Sequence, residues 1–213
     1  HSCWYRLWRI KFLSVGAVAL NYVSLFSSAG VGCYGFTKAG FDCIATVELL
    51  EKRMQIQRYN KKCKNTDGYI VGNLELPETH QLLDLAIKKY FESKKVEIDI
   101  IMATPPCQGI SVANHKKKDE LGRNSLVVES IKITKKYLPR FFLFENVSGF
   151  LKTVCTDVDG IDRTIDEAIT NNLSKFYHIE SQVLNLKNYG SNSSRTRTLV
   201  IGVRKDQKNT CPL

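Results

Sequence analysis

No Cys-x-x-Cys pair occurs in the sequence, and its seven cysteines, at 3, 33, 43, 63, 107, 155 and 211, are an odd number. That pattern speaks against a zinc module and against a disulfide framework, and it suits a reducing cytoplasm. Histidine is scarce as well. His1, His80, His115 and His178 are scattered without the spacing of a metal site. There is no internal repeat and no low-complexity segment. Past the first two dozen residues, no apolar run is long enough for a transmembrane helix. Acidic residues are outnumbered by basic ones, 21 to 31, for a formal net charge of +10. A surplus of that size favours a polyanionic partner, nucleic acid first and an anionic membrane surface second. Runs such as "IKKYFESKK" and "KITKKY" also suit lysines that only solvate helix faces.

What is present describes an ordinary globular chain. Its 213 residues, 43% hydrophobic and 24% charged, suffice for one domain with a substantial core. The opening "WYRLWRIKFLSVGAVALNYVSLF" places basic residues before an apolar run, like the first two regions of a signal peptide. It has no clear cleavage site and leads straight into a glycine-containing turn, so residues 1–20 are expected to be an upstream extension. Thereafter strand and helix patterns alternate. "YVSLF" at 22–26 is a strand, "SSAGVG" a turn and "CYGFTKAG" a short helix; "FDCIATVE" is a strand ending at Glu48. "LLEKRMQIQRYNKK" and "PETHQLLDLAIKKYFESK" are helices around the short strand "YIVGNL". A basic loop, "NHKKKDELGRN", precedes the helix "SLVVESIKITKKYL" and the buried strand "RFFLFEN". "DRTIDEAITNNLSKF" is a helix, and "YHIESQVLNL" and "TLVIGVR" are strands. This order predicts a doubly wound α/β sheet, mainly parallel, with a terminal pair open to an antiparallel arrangement.

Polar residues stand at three strand ends, where an open α/β sheet binds ligands. In "DIIMATPPCQGIS" an apolar run stops at two prolines, leaving Cys107 at a stiff strand end. A thiol there is either a candidate nucleophile or a small buried hydrophobe. Glu145 and Asn146 end another strand. "LFSSAGVGCYGF" puts Gly30, Gly32 and Gly35 after the first strand, and Glu48 ends the second, 18 residues beyond Gly30. An acidic residue at roughly that separation reaches a ribose hydroxyl in nucleoside-binding α/β units. The serines and alanine match the dinucleotide fingerprint poorly, so an adenosyl cofactor without a pyrophosphate is the better expectation.

Together "SLFSSAGVGCYGF", "PPCQGIS", "FLFENVSGFL" and "YGSNSSRTRTLVIGVR" resemble the ordered motifs of the cytosine carbon-5 DNA methyltransferases, over Tyr22 to Arg204. The Pro-Cys-Gln and Glu-Asn-Val motifs, 38 residues apart, are specific in combination. The resemblance implies the Rossmann-like fold of S-adenosylmethionine-dependent methyltransferases. It also implies Cys107 as nucleophile, Glu145 at ring nitrogen 3 of the base, Asn146 bracing that contact, and Arg195 near the base carbonyl and thiol. Arg197 is either a partner in that site or a phosphate-contacting arginine. The implied cofactor is S-adenosyl-L-methionine, with Phe26, Ser27, Ser28, Ala29 and Gly30 around its methionine and adenine. Glu48 is implied at the ribose, and Asn73, Leu74, Pro106 and Leu126 near the adenine. The implied partner is double-stranded DNA with the target cytosine flipped out of the stack.

Ser24, Ser28, Val31 and Asn73 depart from the family's usual residues, as does Ser193 before Arg195. After Arg204 comes only "KDQKNTCPL", where the family continues into a DNA-reading domain and two further motifs. The expected organisation is an extension at 1–20, a catalytic and cofactor-binding domain at 21–206 and a tail at 207–213. Target recognition would then come from elsewhere, for example a second polypeptide. Two alternatives stand beside this reading: an RNA cytosine methyltransferase, and an inactive remnant that binds cofactor or partner.

Overall fold

The computed structural model describes residues 19–92, 97–106 and 117–207, the last segment by backbone alone up to residue 125. Nine strands and five α-helices are present among these. The strands are β1 (Asn21–Leu25), β2 (Asp42–Glu48), β3 (Tyr69–Val71), β4 (Ile100–Ala103), β5 (Phe141–Asn146), β6 (Val154–Thr156), β7 (Asp162–Thr164), β8 (Tyr177–Asn185) and β9 (Thr196–Arg204). The helices are α1 (Tyr34–Lys38), α2 (Glu51–Tyr59), α3 (Pro77–Phe91), α4 (Lys117–Tyr137) and α5 (Ile165–Leu173).

Seven strands form one sheet in the order β3-β2-β1-β4-β5-β9-β8. Strands β3 to β5 pair in parallel, and β9 runs antiparallel to both β5 and β8. The expected doubly wound sheet and its antiparallel end are therefore what the chain forms. Every residue of β1 is buried, as a central strand covered on both faces requires. Alternation divides its side chains between two clusters. Val23 and Leu25 join Ile101, Phe142 and Phe144 on one side; Tyr22 joins Cys33, Cys43 and Met102 on the other. β9 packs closely on β5 because Gly202 faces Phe142, where a Cβ would overlap the aromatic ring.

Three local readings differ from the structure. Asp162–Thr164 pairs with Val154–Thr156 as a small second sheet instead of opening a helix. Asp157, buried and paired with Arg163, ties that ribbon together. Helix α4 begins at Lys117, inside the stretch expected as a basic loop. β1 ends at Leu25, because Phe26 turns out of the extended region with φ 55°.

The order reverses at β1 and β4, which are neighbours although β2 follows β1 in sequence. A crevice opens at the carboxyl ends of the strands at such a point.

Candidate active site

At the end of β1 the chain makes a strained turn. Phe26 (φ 55°), Ser28 (φ 50°) and Gly30 (φ 85°) all lie in the left-handed region. Only the glycine adopts it without steric cost, and strain of this kind concentrates at functional sites. A buried polar network holds the turn. Gln57 of α2, 1% exposed, donates from Nε2 to Ser27 Oγ at 2.8 Å and to the Ser28 carbonyl at 2.6 Å. Its Oε1 accepts the Thr46 hydroxyl at 2.8 Å, and Ser27 Oγ donates to the Val47 carbonyl at 3.1 Å. Each of these buried polar side chains is thereby satisfied.

The same turn meets the end of β2. The Glu48 carboxylate, 5% exposed, accepts from the backbone N–H of Ser28 at 2.8 Å and of Leu50 at 3.1 Å. Arg53, half exposed, approaches its Oε1 at 3.4 Å. The loop after β3 adjoins Glu48, because Gly72 N–H donates to the Glu48 carbonyl at 3.0 Å. In that loop Asn73 Oδ1 accepts the Glu75 N–H at 3.1 Å, and Leu74 is buried in the main core. The end of β4 adjoins the turn from the other side, through the Thr104 hydroxyl, which donates to the Phe26 carbonyl at 2.9 Å. Phe26, Ser27, Ser28, Ala29, Gly30, Glu48, Asn73 and Leu74 thus line adjoining loops at one edge of the sheet. Pro106 is exposed at the end of β4, and Leu126 is partly buried on α4.

Beyond β4, Cys107 lies outside the described residues. Asn146, 4% exposed at the end of β5, donates from Nδ2 to the carbonyl of Pro105 at 2.9 Å and accepts the Val147 N–H at 2.8 Å. Its side chain is thereby tied to the Pro-Pro segment that precedes Cys107 in sequence. Glu145 pairs with Arg197 of β9, with Nε and Oε1 2.8 Å apart. Burial raises the Glu145 pKa, and the charge of Arg195 opposes the rise. Arg195 itself is exposed just before β9, with its carbonyl accepting the Leu186 N–H. Register accounts for the pairing: Asn146 faces Thr198 across the β5–β9 ladder, and the Thr198 hydroxyl donates to the Val147 carbonyl at 3.0 Å.

Gln57, Thr46 and Arg53 escaped the sequence reading. A glutamine three residues after Met54, on the face that α2 buries, was the available signal for Gln57. No local pattern marks Thr46, which sits inside an otherwise apolar strand.

An open α/β sheet with strained, polar loops at its carboxyl edge and a Glu-Arg pair at a strand end has the architecture of a ligand-binding doubly wound fold. Comparison with known proteins makes the class specific: the family model for C-5 cytosine-specific DNA methylases matches residues 20–212, and the chain belongs to that family. It is 31% identical over 194 residues to the type II methyltransferase M1.HgaI of Avibacterium volantium, covering 88% of this chain and 50% of that protein. It is 33% identical over 192 residues to M.NgoPII of Neisseria gonorrhoeae, covering 88% and 49%. Among solved structures, an E. coli protein described as a DNA modification methyltransferase encoded within a prophage matches with a TM-score of 0.65 and 28% identity. That match covers 91% of this chain and 49% of the other. The chain spans about half the length of the curated relatives it matches.

Proposed function

We propose that this chain is the catalytic region of a DNA cytosine carbon-5 methyltransferase that uses S-adenosyl-L-methionine. The observation that carries the proposal is the joining of two motifs in space: Asn146 holds the Pro105 carbonyl, two residues before Cys107, while its neighbour Glu145 is paired with Arg197.

The chemistry accounts for the residue types. Carbon 5 of cytosine is a weak nucleophile until a nucleophile adds at carbon 6. The Cys107 thiolate forms the bond to carbon 6, and the electron pair displaced from the ring is neutralised at nitrogen 3 by a proton held on Glu145. A carboxyl with a raised pKa suits that donation. Arg197 orients it, and Arg195 supplies positive potential beside the base. Carbon 5, now enamine-like, would take the methyl group as the sulfonium carbon–sulfur bond breaks to leave a thioether; return of the nitrogen-3 proton to Glu145, loss of the carbon-5 proton to a base and departure of the thiolate would then restore the aromatic ring. Asn146 keeps the Pro-Pro segment in place, so that the thiol approaches from a fixed direction.

The residues at the β1–β3 edge fit the cofactor. A carboxylate offers about four acceptor positions, and Glu48 uses three, which leaves room for a ribose hydroxyl. When bound, S-adenosylmethionine supplies an activated methyl group on sulfonium. Phe26 to Gly30 form the wall beside it, and Asn73, Leu74, Pro106 and Leu126 the adenine side.

The substrate in this reading is duplex DNA with a flipped cytosine, in a cytoplasmic, DNA-associated setting like that of bacterial restriction-modification. The groups that read target sequence are assigned to a part outside these residues, on the same or a second polypeptide. The test is nucleoside mass spectrometry after the full-length protein, with any such partner, is incubated with methyl-labelled cofactor and either duplex DNA or structured RNA. The expected product is labelled 5-methylcytosine from the DNA. Label in RNA alone would transfer the assignment to the RNA-modifying alternative, and label in neither would leave a cofactor-binding remnant.

A further inference from the structure

The loop carrying Asn73 and Leu74 is clamped by a side chain with no role in the chemistry above. His80, in the first turns of α3, donates from Nε2 to the Leu74 carbonyl at 2.6 Å. A carbonyl can only accept, so this ring nitrogen carries the proton. Glu129 of α4 lies behind it, with Oε2 3.5 Å from the same nitrogen. Glu129 is in turn fixed by Lys132, whose Nζ is 2.7 Å from Oε1. Both His80 and Glu129 are largely buried, with side chains 26% and 12% exposed. Leu126 stands one turn before Glu129 on the same helix. One imidazole therefore ties the loop after β3 to α3 and stands between that loop and Glu129, on the helix that bears Leu126. Glu48 fixes the other end of the loop through Gly72.

We infer that His80, backed by Glu129, is a positioning residue for the recognition of the purine base. It holds the Leu74 carbonyl, and thereby the Asn73 carboxamide, at a set distance from the α4 wall. This inference rests on the assignment of that loop to the adenine. Its consequence is selectivity. The Asn73 carboxamide, its orientation set by Glu75 through the N–H accepted at Oδ1 and the carboxylate at Nδ2, presents that oxygen to the 6-amino group of adenine, and a 6-oxo purine, with an acceptor at that position, is rejected. Freed of His80, the loop loses that set distance, and binding and discrimination fall together.

The test is calorimetric titration of the full chain with S-adenosylhomocysteine and with its 6-oxo analogue, S-inosylhomocysteine, with melting curves as folding controls. The wild type is expected to prefer the adenosyl ligand. His80→Ala is expected to weaken that ligand roughly 5-fold or more, the scale of one lost hydrogen bond, and to shrink the preference by a similar factor. His80→Gln, whose amide Nε2 can donate to the same carbonyl, is expected to restore most of both. If His80→Ala leaves the preference intact, or weakens both ligands equally, the inference is overturned while the cofactor assignment stands. If the wild type binds neither ligand, the cofactor assignment falls and the inference with it.

Discussion

Burial raises the Glu145 pKa and outweighs the opposing charge of Arg195, while the ion pair with Arg197 also favours the carboxylate. A carboxyl whose pKa rises on folding contributes stability that is full below its unfolded value and is lost as pH climbs through its folded value. Glu145→Gln removes that loss. The melting temperature of the variant minus that of the wild type is therefore expected to increase as pH rises from below the ordinary glutamate range toward neutrality. A difference that falls over this range would show that the ion pair with Arg197 outweighs burial. Single residues also mark how far sequence reading reaches. Glu48, Cys107, Glu145 and Asn146 stand out because polar side chains at the ends of apolar runs are conspicuous. The partner of Asn146 does not stand out. Its hydrogen bond to Pro105 joins positions 41 apart in the chain, and only the parallel pairing of β4 with β5 brings them together.

Among the elements, β-strands that end in glycine, proline or an acid were the most legible, because apolar runs and chain breakers coincide there. The β6–β7 ribbon was not. Its strands are three residues each, only Cys155 of the six is buried in the core, and the Asp157–Arg163 pair that bridges it follows no hydrophobic pattern. The start of α5 was legible in principle. Thr164 and Glu167 form a capping box, with Thr164 N–H donating to Glu167 Oε2 at 2.8 Å and Glu167 N–H donating to Thr164 Oγ1 at 3.3 Å. This helix packs Ile165, Ala168, Ile169 and Leu173 into the core that also holds Phe150, just past the Glu145–Asn146 end of β5. Thr164→Ala is expected to lower unfolding free energy by about 1 kcal/mol in urea titration. The affinity for S-adenosylhomocysteine should not change, since the cap lies away from the β1–β3 edge.

At the scale of the whole molecule, the sheet has two working stretches along one edge. The ends of β1, β2 and β3 form the proposed cofactor side, and the ends of β4 and β5, with the start of β9, form the proposed base side. Thr104 joins them, donating its hydroxyl to Phe26 across the point where strand order reverses. The net charge of +10 suits a phosphate-rich substrate, and such attraction is strongly salt-dependent without carrying sequence information. The central claim is that Cys107 attacks the cytosine ring at the end of this edge. The direct measurement is peptide mass spectrometry after the full-length protein is incubated with S-adenosylmethionine and a duplex carrying 5-fluorocytosine, which cannot lose its carbon-5 substituent as a proton. The expected result is a stable nucleotide adduct on the peptide containing Cys107, absent from Cys107→Ala. An adduct that persists in Cys107→Ala, or methylation of ordinary cytosine by that variant at the wild-type rate, would contradict the claim.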